Sequence, residues 1–402
     1  MPTAPQTSTS SKIPATVWIL GFVSMLMDIS SEMIHSLMPL FMVTVLGTSA
    51  LTVGIIEGLA EATALIVKIF SGALSDYLGK RKGLAVFGYG LAALTKPLFA
   101  MASGIGMVTT ARLLDRLGKG IRGAPRDALV ADAVTPEIRG AAFGLRQTLD
   151  TAGAFLGPLL AMALMLLFAS DFRAVFWIAV IPAFIAVALL IFGLKEPATP
   201  IPKEKRTNPL KWANLKKLSH AYWWVVVIGA VFTLARFSEA FLVLRAQQSG
   251  MALALIPLVM VVMNMVFCAS AYPFGKLSDR VNHQHLLAGG LLVLILADVV
   301  LASSSHWAVT MAGIALWGVH MGMTQGLLAT MVANTAPADL RGTAFGFFNL
   351  ICGLAMLPAS ALAGFLWMQF DASVTFHAGA VFCLIALAVL LIRPLLQQKK
   401  TL

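Results

Sequence analysis

Residues 112–127, RLLDRLGKGIRGAPRD, hold seven charges in sixteen positions, with long apolar sequence on both sides. A helix turns about 100° per residue, and on that wheel Arg112, Asp115, Arg116, Lys119, Arg122 and Arg126 fall within about 120°. Leu113, Leu114, Leu117, Gly120, Ile121 and Ala124 take the other side. Further titratable residues recur at helical spacing elsewhere. Asp28, Glu32 and His35 share a face with Ser24 and Ser31, and Glu57, Glu61 and Lys68 lie within about 40° of one another. Arg146 and Asp150 sit one turn apart. Carboxylates buried among cations titrate in ways set by burial and neighbouring charge, which is the chemistry of proton binding and release. The same arrangement also suits a static ion-pair network that braces the fold. Toward the C-terminus the polar groups thin out to Arg236, Glu239, Asn264, Asp298, His320, Gln325 and Asn349. His320 fits packing as well as a site.

The elements that hold these residues are unusually apolar. Of 402 residues, 59% are hydrophobic and 12% charged, with mean hydropathy +0.86; a soluble domain carries roughly twice that charge. Dividing the chain at Gly, Pro and charge into apolar stretches of roughly 18–25 residues gives twelve spans. They run over 16–46, 52–74, 84–103, 106–127, 140–168, 172–194, 221–246, 252–274, 286–304, 307–331, 342–369 and 373–393. Lipid offers no partner to unpaired backbone groups, so the spans are helices. The expected fold is an all-α membrane protein of twelve transmembrane helices in two six-helix bundles, 1–194 and 221–402. Residues 195–220, rich in Pro and Lys, form the linker between them. Each charge of the 112–126 stripe would cost several kcal/mol at the bilayer centre. The stripe must therefore line a watery cavity or meet carboxylates.

Loops on the side of both termini hold eighteen Lys and Arg, and the opposite loops only Arg173 and Arg245. By the positive-inside rule the termini and linker are cytoplasmic. Topology accounts for most of the +11 net charge, and no nucleic-acid partner is needed. Cys268, Cys352 and Cys383 lack CxxC spacing and read as packing residues, not metal ligands or disulfides. The twenty methionines suggest soft-metal transport, but their spread around the helices favours ordinary packing. The polar start MPTAPQTSTS is followed by no small-residue cleavage site, so the first span is read as retained.

The halves repeat each other. GALSDYLGKRKGL (72–84) aligns with GKLSDRVNHQHLL (275–287) at an offset of 203, and EIRGAAFG (137–144) with DLRGTAFG (339–346) at 202. Asn264 takes the place of Glu61 at the first offset, and Ser31-Glu32 has a counterpart in Ser238-Glu239. Transporter folds are commonly built from such repeats, with the binding site between them.

These motifs resemble the major facilitator superfamily. The first copy is similar to its GxLaDrxGrkxxl signature through Gly72, Asp76, Gly79, Lys80 and Arg81. The second keeps Gly275, Asp279 and Arg280 but has Asn282 and His283 where a Gly and a basic residue stand in the family. Arg116, Lys119 and Gly120 resemble the RxxQG motif with Lys in place of Gln. Gly153, Gly157 and Pro158 resemble the GxxxGP part of the antiporter motif, without its trailing glycine pair. The resemblance implies a secondary transporter of a small organic solute, working by alternating access in a bacterial-type inner membrane. Protons are the implied coupling ion, the protein a monomer, and export the favoured direction. It implies no catalytic residues, cofactor or metal. Asp76 would lock the outward-facing state from the end of the second span, against the start of the eleventh. The rival class is a membrane sensor or scaffold using the fold without net transport. No GxxxxGK[ST] motif appears, so ATP is not the direct driver. Five cations against one acid on the 112–126 stripe lean toward an anionic or zwitterionic solute, and the acids of the first two spans could cancel that preference.

Alkaline phosphatase fused at Lys205 is expected to be inactive, and fused near Ser49 of a suitable truncation active; the reverse pattern would overturn the topology.

Overall fold

A computed structural model of the chain describes residues 13–78, 81–135, 138–194, 217–278, 280–337 and 340–398. Gly79, Lys80, Asp279 and linker residues 195–216 lie outside that set, as does the side chain of Asp76. Each of the twelve spans is helical among the described residues, two of them with an interruption. The first half comprises α1 (Ala15–His35), α2 (Met38–Thr44), α3 (Ala50–Leu78), α4 (Arg81–Met101), α5 (Ile105–Asp132), α6 (Arg139–Leu167) and α7 (Phe172–Gly193). The second comprises α8 (His220–Ala235), α9 (Ala240–Gln248), α10 (Leu258–Ser278), α11 (His283–Ser303), α12 (Trp307–Thr335), α13 (Arg341–Gln369) and α14 (Ala372–Gln398). A 3₁₀ turn, Leu253–Leu255, precedes α10. Among the described residues, ten stretches are long and apolar enough to cross a membrane. The other two spans are α5 and α12, the fourth of each half.

Two spans expected as single helices, 16–46 and 221–246, are broken in the middle. Pro39 at the start of α2 has no N–H to give the carbonyl one turn back, which ends α1 near Ser36. In the seventh span the backbone N–H of Ser238 bonds to Ser360 Oγ at 3.2 Å and that of Ala240 to Ser238 Oγ at 3.2 Å, replacing helical bonds over 236–239. Irregular backbone at membrane depth is tolerated where it is buried in protein or lines a water-filled cavity. Both broken spans then leave their helix through a left-handed glycine, Gly47 (φ 65°) and Gly250 (φ 89°).

Small residues set how closely the helices approach. A Cβ on Gly153 would stand 2.6 Å from the Met25 carbonyl, and one on Gly157 2.8 Å from Glu32 Cβ. The antiporter-like glycines thus seat α6 directly on α1, beside Asp28 and Glu32. Gly118 of α5 meets the Gly88 backbone of α4 in the same way. The main seam between the halves is α3 against α13, where Gly54 faces the Ser360 carbonyl, Gly58 faces Leu357 and Gly364 faces the Ala50 carbonyl. The two cations counted on the sparse side are tied down: Arg173 donates to the carbonyls of Ala100 and Ala102, and Arg245 to those of Leu301, Ala302 and Ser304. Each neutralises the carbonyl end of a helix, α4 or α11.

We call the end of the bundle bearing residues 194 and 217 the linker end. At the far end α6 touches the 3₁₀ turn, 253–255. Toward the linker end α6 and α10 enclose a cavity of about 1020 Å³, bordered by Gly144, Thr148, Tyr272, Ser278 and Thr330.

Candidate functional site

The stripe on α5 faces inward: Arg112, Asp115, Arg116 and Arg122 are buried, and Lys119 is exposed to the cavity it lines. It forms one wall of two adjoining cavities of about 390 and 230 Å³. Both are lined by Glu32, Glu61, Lys119, Ala154 and Asn264, so the repeat-related pair Glu61 and Asn264 faces one space from opposite halves. Asp28, Lys68, Arg122 and Asp150 line the larger cavity. His35, Arg236 and Glu239 line the smaller one, the last two placed there by the break in the seventh span.

Carboxylates of neighbouring helices meet the stripe turn by turn. Deepest is Glu57, with 0% of its surface exposed, held by Arg112 through two bonds of 2.6 and 3.1 Å. Such a two-point guanidinium–carboxylate pair is among the strongest side-chain hydrogen-bonding arrangements. His35 bridges the buried and open regions, with Nε2 3.6 Å from Glu57 and Nδ1 3.5 Å from Glu32. Arg116 pairs with Glu61 at 3.2 Å, and Arg122 with Asp28 at 3.7 Å while stacking over the Tyr89 ring. Arg126 donates to Ser24 Oγ at 3.0 Å and lies 3.7 Å from Asp150, which also pairs with Arg146. Arg126 also lines the larger cavity.

Lys119 lies on the same face of α5 as the arginines that meet Glu61 and Asp28. Those acids are taken by Arg116 and Arg122, and Lys119 has no ion pair or hydrogen bond among the described residues. The arginines one turn either side of it carry longer, two-pronged heads that reach the acids of α3 and α1.

Lys96 escaped the sequence reading. It is 1% exposed in α4 and binds Asp115 at 2.8 Å and Ser31 Oγ at 2.9 Å. A lone lysine inside the apolar run 84–103 was the available signal. The position 202 residues later is Asp298 of α11, and the counterpart of Asp115 is Trp317. Asp298 is 0% exposed, and neither carboxyl oxygen has a hydrogen-bond partner among the described residues. The repeat thus preserves the buried polar position but not the pair.

The other second-half candidates are simpler. Arg236 pairs with Glu239 at 3.2 Å and, with the Gln325 amide oriented to suit, donates to its oxygen at 3.1 Å. His320 lies outside the cavities, its Nδ1 2.8 Å from the Gly290 carbonyl oxygen and its ring stacked on Phe232. Of the gating motif, Gly72 lies 3.5 Å from Ala124 of α5 when given a Cβ, Arg81 pairs with Asp132, and Gly275 faces open space at the cavity mouth.

Twelve spans, two of them broken, around a charge-lined cavity between repeated halves define a membrane transporter. The sequence model of the Major Facilitator Superfamily matches residues 20–359, and the chain belongs to that family. It is 33% identical to an MFS-type transporter of Methanocaldococcus jannaschii, over 94% of this chain and 95% of that one. It is 28% identical to the multidrug resistance protein MdtH of Klebsiella pneumoniae, over 87% of this chain and 85% of the relative. In fold it is similar to a POT family transporter crystallised with 5-aminolevulinic acid, with a TM-score of 0.79 at 13% identity and coverage of 98% of both chains.

Removing one partner of a buried pair strands the other, at about 3–5 kcal/mol. Glu57→Gln and Lys96→Gln are each expected to lower stability in detergent by that amount. Asp298→Asn, which removes no partner, should stay within about 1 kcal/mol of the native protein or exceed it. Thermal unfolding of the three variants checks this; a loss at Asp298 equal to that at Lys96 would show an ion pair at both positions.

Proposed function

We propose that the protein is a proton-coupled secondary transporter of a small organic solute, working by alternating access, with export favoured. Two rocking units, 1–194 and 221–402, are joined by a cytoplasmic linker, 195–220, in a monomer whose termini both face the cytoplasm of a bacterial-type inner membrane. The observation that carries this reading is the charge-lined cavity between α5, α6 and α10. It continues to the linker end through the larger space between α6 and α10, which shares Gln147, Thr151, Phe267 and Cys268 with it. The far end is covered where α6 meets the 3₁₀ turn. Access from one side at a time is what a secondary transporter needs, and a scaffold gains nothing from burying this much charge. The name of the Klebsiella relative and the glycines of 153–158 support export.

The carboxylates differ in how firmly they are held. Glu57 is fixed by Arg112, whereas Asp28 stands 3.7 Å from its arginine and Glu32, among the described residues, has only His35. Asp28 and the Glu32–His35 couple are therefore the proposed proton carriers. Arg116, Arg146 and Asp150 hold the wall in register.

A thermal-shift screen of the purified protein against metabolites, drugs and metal chelates supplies a transported compound. Its flux into proteoliposomes is then followed with a lumenal pH dye. Native protein should move protons with the compound; Asp28→Asn and Glu32→Gln should keep compound exchange but lose proton movement by tenfold or more. Proton movement unchanged in both variants would remove these residues from coupling, and the absence of any flux would leave the sensor or scaffold reading.

A further inference from the structure

The ion pairs leave a remainder. Of the acids lining the larger cavity, Asp28, Glu61 and Asp150 are each matched by an arginine, and Glu32, among the described residues, pairs only with a histidine. Lys119 and Lys68 line the same cavity, are exposed to it, and have no ion pair or hydrogen bond among the described residues. They lie close together. A Cβ on Gly123, one turn from Lys119, would stand 3.8 Å from Lys68 Cε, so the Lys68 stem crosses α5 beside the Lys119 turn. Two free cations against Glu32 alone give the cavity one net positive charge when His35 is neutral. An excess charge in a space walled by apolar helices is costly until a counter-charge enters.

The space beyond the lysines is different in character. Phe267 and Cys268 are shared with the mouth between α6 and α10, which continues past Tyr272, Phe274, Met323 and Leu327. About 390 Å³ at the lysines is within the range that holds a small ring compound.

We infer that the transported solute is an amphipathic organic monoanion, its carboxylate or comparable acid group held between Lys119 and Lys68 and its apolar body lying along Phe267 toward the mouth. Anion entry neutralises the surplus without disturbing the pairs of Arg116 and Arg122. The same surplus disfavours organic cations, which meet no unclaimed carboxylate except Glu32. This inference rests on the transporter reading above but concerns binding alone, so either can fail without the other.

Three probes of one shape and different charge test it: benzoate, benzamide and benzylamine, titrated calorimetrically into the full-length protein in detergent at low salt. Benzoate is expected to bind at least tenfold more tightly than the other two. Lys119→Gln and Lys68→Gln should each weaken benzoate by tenfold or more with the unfolding temperature kept, because neither lysine has a partner to strand, and Lys119→Arg should recover part of the loss. Benzylamine or benzamide binding as tightly as benzoate, no binding of benzoate, or benzoate affinity unchanged in both glutamine variants would overturn the inference.

Discussion

A charge cannot rest in lipid, and most of this architecture follows from that constraint. The α5 stripe would cost several kcal/mol per residue if it faced the bilayer. It is accommodated because α1, α3, α4 and α6 each bring a counter-charge to a particular turn: Asp28, Glu57 and Glu61, Lys96, and Asp150. Those placements demand close helix approach, which the small residues provide. Gly153 and Gly157 bring α6 onto α1 at the level of Asp28 and Glu32, and Gly88 with Gly118 brings α4 onto α5. The packing seams and the ion pairs are one arrangement. A bulkier residue at Gly157 would push apart the helices on which Glu32 and Asp150 stand.

The division of the charges gives the cavity its character. Glu57–Arg112, joined by two bonds, and Lys96–Asp115, whose lysine also donates to Ser31, are buried and serve as fixed anchors. Longer, wetter pairs line the cavity, where a change of charge costs less reorganisation. His35 links the two zones. The second half supplies a break in its first span and a surface poor in charge, so the two halves contribute unequally to a pocket that repeat symmetry places between them.

Much of this was legible in the sequence. Twelve spans, the repeat offsets and the inward stripe of 112–126 followed from hydropathy and a helical wheel, because period and apolarity are local properties. The family was legible in the residues of 72–81. What the wheel could not show was which acid meets which cation. Side-chain reach decides that, and it gave Glu61 to Arg116 and Asp28 to Arg122, leaving Lys119 alone. Lys96 was missed because a single charge in an apolar run carries no periodicity. The break near Ser36 follows from Pro39, a local signal that hydropathy does not weigh, whereas the break over 236–239 depends on the Ser238 N–H donating to Ser360 of a distant helix, which no window along the chain contains.

The central claim is that the two groups of helices exchange access to this cavity between its ends. Double electron–electron resonance tests it most directly. With Cys268, Cys352 and Cys383 replaced, spin labels at Thr148 and Ser278 report the mouth at the linker end, and labels at Phe168 and Ala252 report the far end. Across acidic and alkaline pH in nanodiscs, the account predicts two populations at each pair whose weights change in opposite directions, the linker-end distance shortening as the far-end distance lengthens. A single unchanging distance at both pairs under all conditions would contradict it.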